Sequence, residues 1–140
     1  QELSHLQIIL LLKVFQNMYN VTVCREFIAQ HYLINGNFGS ENNLNSHLFK
    51  IELSVSNFKL NKHNYVIDID YIKSFLDYIE LKYKDKCLND FEEFKEQNPS
   101  LEWFCYVIYN EFLSHINPLT VDQLKITIWE DKFCYASFTK

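Results

Sequence analysis

Apolar and polar positions alternate along two long segments of the chain. Over residues 19–31 every second residue belongs to one mostly apolar series that Arg25 interrupts, and residues 45–60 repeat the same period. A period of two is typical of a strand with one buried face. A histidine lies in each series, His31 at the end of the first and His47 near the start of the second. We predict two long strands that could pair, with both imidazoles on the inward face.

The other apolar positions predict three helices and a hairpin. Residues 3–16 form a short helix that is apolar on more than one side, so the rest of the domain or another subunit must cover it. A second helix follows "YVIDID", with Ile72, Phe75, Leu76, Ile79 and Tyr83 inward. A polar connection, "KYKDKCLNDFEEFKEQNPS", leads to the next helix, which Ser100 caps and Pro118 follows. Its apolar positions are Leu101, Phe104, Cys105, Ile108, Tyr109, Phe112, Leu113 and Ile116.

The last alternating run predicts a hairpin in which the apolar residues of the first strand face inward. Glu130 stands at the end of that same face, after Leu124, Ile126 and Ile128. After the N-terminal helix, the order is therefore strand, strand, helix, helix, strand, strand. This order predicts an α+β fold, an antiparallel four-stranded sheet with two helices on one face. We divide the chain into an N-terminal helical extension, 1–17, and one domain, 18–140.

Charge and cysteine usage exclude several classes of protein. The 140 residues carry a formal net charge of -5 without a dense basic stripe, which argues against nucleic acid as the main partner. None of the 4 cysteines forms a CxxC pair, so a zinc ribbon is excluded, and their wide spacing suits reduced thiols in the cytoplasm. The most apolar run, "LQIILLLKVF", is too short to span a bilayer, so we expect no membrane partner.

Two imidazoles on neighbouring strands can meet one metal ion. Zinc favours nitrogen ligands, and a catalytic zinc site has three protein ligands and one open position. Asn45, a third candidate ligand, is on the same face as His47, two residues earlier. The alternative is that His31 and His47 are polar residues satisfied at the rim of a core, and the spacing alone favours this alternative.

Six segments, in order, resemble the motifs of one enzyme family. They are "FIAQH", "LNSHLFKIELSV", "YVIDIDYIKSFL", "CLNDF", "NPSLEW" and "ITIWED". Together they resemble the 6-pyruvoyl-tetrahydropterin synthase and 6-carboxytetrahydropterin synthase family over residues 19–138. This resemblance implies the tunnelling fold, or T-fold, and zinc as the cofactor. It places the first zinc ligand at His31 and a further ligand at His47.

The chain departs from the family's motifs at the remaining metal and catalytic positions. Asn45 stands where the family has another zinc-ligating histidine, and an amide oxygen is a poor replacement on zinc. Glu41 stands at the position of the catalytic cysteine, and Lys84 and Asp85 replace the Asp-His pair of the proton relay. One branch of the family uses glutamate in place of that cysteine. The resemblance therefore implies that Glu41, with Asp85 and Lys84 as helpers, carries the catalysis.

The resemblance assigns further roles to three glutamates. Glu41 beside a metal can act as a general base, or it can join His31 and His47 as the third ligand. Glu130 matches the glutamate that accepts hydrogen bonds from the pterin's amino and ring N–H groups. Glu102 is a second candidate contact to the pterin; alternatively it is a first-turn acid, which the helix dipole favours by about 0.3–1 kcal/mol.

These assignments predict a synthase-like lyase that acts on or binds a pterin such as dihydroneopterin triphosphate. The alternative is a catalytically inactive T-fold that binds a pterin or serves in assembly, and a third reading is an unrelated α+β protein. Members of the family share active sites between subunits, and exposed sheet edges need covering. We therefore expect a homo-oligomer, either a trimer or a hexamer.

Overall fold

The computed structural model describes residues 1–14, 17–116 and 120–140. Its helices and strands follow the predicted order, and together they form the α+β architecture expected from the sequence. They are α1 (His5–Val14), β1 (Tyr19–His31), β2 (Asn45–Asn57), α2 (Ile69–Tyr83), α3 (Leu101–Leu113), β3 (Gln123–Trp129) and β4 (Tyr135–Thr139).

The four strands form one antiparallel sheet in the order β1-β2-β3-β4. In its register Tyr19 lies opposite Asn57, and His31 lies opposite Asn45. Strand β2 ends at Asn57, three residues before the predicted end, because the side chain of Asn57 bonds main-chain groups of two other segments. Its amide donates to the carbonyls of Val66 and Thr120 and accepts from the main chain of Asp122. These bonds turn the chain out of the sheet.

Helices α2 and α3 cover one face of the sheet and enclose the core. The residues of α2 that are buried are the five that the pattern predicted. In α3 the cap is confirmed, since Ser100 Oγ accepts from the main chain of Trp103, while the predicted role of Pro118 lies outside the described residues. Arg25, which interrupts the apolar face of β1, is accommodated by ion pairs of 2.6 Å to Asp77 and 2.7 Å to Glu80 of α2.

The segment between α2 and α3 is not the polar connection that we predicted. It contains two short 3₁₀ helices, Leu88–Asp90 and Glu92–Phe94, and it buries Leu88 and Phe94 in the core. Glu93 in this segment forms an ion pair of 2.7 Å with Lys82 and accepts a hydrogen bond from the hydroxyl group of Tyr83. Burial alone would raise the pKa of Glu93, but these hydrogen bonds outweigh it and lower the pKa. The prediction failed because apolar residues spaced by single 3₁₀ turns show no long period.

The N-terminal helix begins at His5, two residues after the predicted start, and its apolar residues are exposed; the predicted end at residue 16 lies outside the described residues. Within 5–14, Leu6 is 67% and Leu12 59% exposed. The expectation that another surface covers this helix therefore stays a prediction. Among the residues that the structure describes, no helix is long and apolar enough to cross a membrane.

Candidate metal centre

The register of β1 and β2 brings the two predicted histidines into contact. His47 lies opposite Ala29, and His31 lies one pair further along the inward face, opposite Asn45. Diagonal neighbours on one face of a sheet are within reach of each other, and the small side chain of Ala29 leaves room between the rings. The ring centroids are 5.0 Å apart and the rings are perpendicular. Phe49 packs against both imidazoles and forms an apolar base for the site.

His31 is buried and holds one ring nitrogen ready for a ligand. Its side chain is only 3% exposed, and Nδ1 lies 2.9 Å from the carbonyl oxygen of Pro99. Because a carbonyl can only accept, Nδ1 carries the proton in the neutral imidazole, whose Nε2 then keeps its lone pair. Nε2 is buried and has no hydrogen-bond partner among the described residues. Ring orientation through the second nitrogen is characteristic of metal-ligating histidines, so this orphaned nitrogen fits a metal ligand.

Two carboxylates complete the group around the histidines. One potential ligand atom from each of His31, Glu41, His47 and Glu130 lies within 4.8 Å of all the others. Glu130 Oε1 is 3.1 Å from Nε2 of His47 and 3.7 Å from Nε2 of His31. Imidazole nitrogens and carboxylate oxygens form a donor set that suits zinc and other divalent first-row metals. The residues present therefore fit a divalent cation.

Strand parity and a tight turn position Glu130. It follows Ile128 on the inward face, and continuing the β2–β3 register places it opposite Phe49, diagonal to His47. Its main-chain N–H donates to the carbonyl of Cys134 at 3.0 Å. Asp131 then closes the turn by accepting from the main chain at two positions. The sheet and this turn thus fix the position of Glu130.

An open cavity of 710 Å³ adjoins the candidate metal-ligating group, which consists of His31, Glu41, His47 and Glu130. Its lining includes His47 and Glu130, and two lysines, Lys50 and Lys132, also face it. The indole of Trp129, which donates to Glu52, forms part of the wall. A concave site of this size can hold a small molecule between the metal-ligating group and cationic side chains.

A known protein family matches the sequence over most of the chain. The family model for 6-pyruvoyl tetrahydropterin synthase matches residues 20–140. The chain belongs to this family. No curated protein sequence gives a significant match.

Solved structures of the synthase share the fold at low sequence identity. The chain is similar to the 6-pyruvoyl tetrahydropterin synthase of Caenorhabditis elegans, at 16% identity and a TM-score of 0.77, covering 89% of this chain and 97% of that one. The Plasmodium falciparum synthase is 17% identical with a TM-score of 0.73, covering 88% and 98%. A catalytic-residue variant of the Plasmodium vivax synthase, in which glutamate is replaced by alanine, is 14% identical, with a TM-score of 0.72 and coverage of 89% and 98%. These likenesses establish the T-fold.

Asn45, which the motif resemblance aligns with a zinc-ligating histidine of the synthase family, lies beside the metal-ligating group. Its amide nitrogen donates to the carbonyl of Asn43 at 2.8 Å, which turns Oδ1 toward Nε2 of His47. The side-chain oxygen therefore faces the site. Its predicted role as a metal ligand stays a prediction, and a neutral amide oxygen contributes less to zinc than the histidine would.

Glu41 is held at the site by a loop that asparagine side chains fix in place. It lies half-buried in a 3₁₀ turn, Gly39–Asn42, and its carbonyl accepts from the main chain of Leu33. Asn89 and Asn98 accept from the main chain just after β1, at Tyr32 and Ile34 respectively. Sequence reasoning missed these roles, although both residues stand in the quoted segments "CLNDF" and "NPSLEW". Those motifs hold positioning residues as well as chemical ones.

Lys84 and Asp85 lie away from the metal-ligating group of their own chain. They line a separate depression of 480 Å³ on the outer side of β1, and the main-chain N–H of Asp85 donates to the carbonyl of Ile28 at 2.7 Å. Glu102 lies exposed in the first turn of α3, which fits the dipole alternative as well as a ligand contact. The catalytic roles of Lys84 and Asp85 and the binding role of Glu102 stay predictions.

Proposed function

We propose that this chain is a metal-assisted member of the synthase family that transforms a pterin such as dihydroneopterin triphosphate. The carrying observation is the buried, unpartnered Nε2 of His31, which faces His47 and two carboxylates. An unsatisfied buried nitrogen costs folding free energy, so a ligand that uses it explains its presence. Zinc held by His31 and His47 would act as a Lewis acid on the side-chain oxygens of the substrate.

Glu41 serves as the general base in this proposal. Its carboxylate belongs to the same group as the two histidines, and half-burial in an anchored loop limits its motion. A positioned carboxylate can remove a proton from a carbon or hydroxyl group of the substrate. A catalytic glutamate is also named for the Plasmodium vivax synthase, which supports a carboxylate in this role.

Substrate recognition is assigned to charged groups that line the open cavity and to Glu102, which lies outside its lining. Glu130 and Glu102 are the acceptors proposed for the amino and ring N–H groups of the pterin, because a carboxylate matches a paired donor edge. Lys50 and Lys132, which line the same cavity as Glu130, are the cations proposed for a triphosphate. Glu26 and Asp131 stand in the same lining, and Nζ of Lys50 lies 3.5 Å from Oε1 of Glu52. The net charge of -5 makes these local cations more significant for binding an anion.

A homo-oligomer, a trimer or a hexamer, would complete the site. Lys84 and Asp85 stand apart from the metal-ligating group of their own chain, so their predicted catalytic help requires a site shared between subunits. Strand β4 has one side without a neighbouring strand among the described residues, whereas residues 85–87 bond the outer side of β1 near its C-terminal end. Unpaired edge segments favour pairing with another chain. We also assign catalysis to residues 18–140, with residues 1–17 as an extension. The four free thiols accord with a cytoplasmic location.

Metal analysis followed by a turnover assay tests the proposal. We expect bound zinc in the purified protein and conversion of dihydroneopterin triphosphate. Glu41→Ala should reduce kcat by about 10²–10⁴-fold while metal content is unchanged. Glu92→Gln is the control, since Glu92 is exposed and lies outside both the cavity lining and the metal-ligating group. Pterin binding without turnover would support the inactive T-fold instead, and absence of any divalent metal would contradict the metal-assisted chemistry.

A further inference from the structure

The metal-ligating group contains more carboxylates than a catalytic zinc site needs. Such a site takes three protein ligands and keeps one position open. His31 and His47 supply two nitrogens, and Asn45 stands where the family's other histidine would be. Asn45 Oδ1 lies 2.5 Å from Nε2 of His47, but a neutral amide oxygen is a poor zinc ligand, so the stronger candidates for the third ligand are Glu41 and Glu130. The identity of the third ligand matters only if the chain binds a metal, so the inference rests on that part of the proposed function.

The distances favour Glu130. Ligand atoms bound tetrahedrally to one zinc ion at about 2.0–2.1 Å stand roughly 3.3 Å from each other. Glu130 Oε1 lies 3.1 Å from Nε2 of His47 and 3.7 Å from Nε2 of His31, on either side of that spacing. Glu41 meets only the wider 4.8 Å limit, and among the described residues it forms no ion pair with either imidazole. A single oxygen of Glu130 is therefore already placed at one corner of a triangle with both nitrogens.

The origin of each carboxylate points the same way. Glu130 extends from the end of β3 beside β2, so two hydrogen-bonded strands fix its position relative to His47. Glu41 belongs to a loop, and its anchoring acts through main-chain and asparagine contacts. Metal sites require ligand positions that are held by rigid elements, whereas a base needs access to substrate. Strand placement suits a ligand, and loop placement suits the base.

We infer that Glu130 is the third protein ligand of the metal, replacing the histidine that Asn45 has lost. The chain would then hold its cation with two histidines and one carboxylate, a donor set open to zinc, manganese or ferrous iron. Glu41 is left free to act on the substrate. The paired N–H edge of a pterin requires both oxygens of a carboxylate, and only Oε2 of Glu130 remains when Oε1 binds the metal. Metal and pterin binding are consequently coupled through this side chain, and by thermodynamic linkage the coupling is reciprocal.

The metal affinity of four proteins tests the ligand assignment. Zinc and cobalt(II) are titrated against a competing chelator in wild type, Glu130→Gln, Glu41→Gln and Glu26→Gln. Glu26→Gln is the control because Glu26 lies outside the metal-ligating group. We expect Glu130→Gln to weaken binding at least about tenfold, the lower end of the loss found on removing even an indirect partner of a metal, with the control near wild type. Glu130→Gln should also change the visible spectrum of bound cobalt. Unchanged affinity in Glu130→Gln, or a larger loss in Glu41→Gln, would overturn the assignment.

A rescue variant separates loss of a ligand from loss of structure. Asn45→His in the Glu130→Gln background restores the family's histidine, and we expect it to recover most of the lost metal affinity. Thermal unfolding in the presence of chelator checks that each variant is folded. If Glu130→Gln does not fold, Glu130→Asp provides the same comparison, because its carboxylate is one methylene too short to reach the nitrogens. Failure of Asn45→His to restore binding in a folded protein would count against the assignment.

Unsubstituted pterin distinguishes this inference from the proposed function. It carries the N–H donor edge but lacks the side-chain oxygens that could bind metal. We expect pterin to weaken cobalt binding in wild type and to have no such effect in Glu130→Gln. If Glu130→Gln loses metal but pterin never binds, the ligand assignment stands and the pterin function fails. If pterin binds and Glu130→Gln keeps its metal, the assignment fails while the pterin function stands.

Discussion

Replacing His31 with leucine distinguishes a metal ligand from an ordinary core histidine. The side chain is 3% exposed, and only one of its two ring nitrogens forms a hydrogen bond among the described residues. Nδ1 donates to the carbonyl of Pro99, whereas Nε2 is buried without a partner among the described residues. His31→Leu removes both groups at nearly constant burial. The change in stability therefore reports the balance between one satisfied and one unsatisfied polar atom.

The expected change without metal is small. Leaving the buried carbonyl of Pro99 without its donor costs about 1–3 kcal/mol, and removing the unpartnered Nε2 returns a desolvation penalty of about the same size. The two terms oppose each other, so the free energy of unfolding should change by no more than about 1 kcal/mol. With zinc at 100 times its Kd, wild type gains about 2.7 kcal/mol and the variant gains none. For a chain of this length that corresponds to a rise in Tm of roughly 8–11 °C.

Thermal unfolding with chelator and with added zinc provides the assay, and His63→Leu is the control. His63 is exposed in the turn after β2, so its replacement should leave the zinc-dependent rise in Tm intact. Two results would refute the reasoning. A loss of more than about 3 kcal/mol in chelator would identify His31 as a histidine that the core requires. A full zinc response in His31→Leu would show that the metal does not use this imidazole.

Three further predictions concern the surroundings of the site. Glu93→Gln should lower the free energy of unfolding by about 1–2 kcal/mol at neutral pH, as measured by urea unfolding. This value lies between those of exposed and buried ion pairs. Because the fold lowers the pKa of Glu93, its contribution is present above the unfolded-state pKa and is lost as pH falls through the folded-state pKa; a cost that does not decrease as the pH is lowered below the unfolded-state pKa would contradict this. Asn98→Ala should destabilise by about 1–2 kcal/mol and weaken zinc binding, because the main-chain N–H of Ile34 loses its acceptor; equal zinc affinity would argue against a positioning role. Burial raises the pKa of Cys105 to about 12, so iodoacetamide at mild alkaline pH should modify exposed Cys134 but not Cys105, as read by mass spectrometry, unless the core opens.

The alternating and helical patterns were sufficient to predict the regular elements. The inward residues of α2 and the apolar faces of β1 and β2 follow from periods of 3.6 and 2 that one buried face imposes. The segment between α2 and α3 was mispredicted because its buried side chains, Leu88 and Phe94, are spaced by short turns. The partners of Arg25 were also invisible, since Asp77 and Glu80 are more than 50 residues away along the chain.

At the candidate site, the sequence determined which groups share a face. Parity alone placed His31, His47 and Glu130 inward, because a strand cannot present neighbouring residues to the same side. Tertiary structure decided which of these groups meet. Register set His31 diagonal to His47, the β3 turn brought Glu130 within 3.1 Å of His47, and the carbonyl of Pro99 selected the free nitrogen of His31. Such choices depend on distances between segments that are far apart in the chain, and no local pattern of residues encodes them.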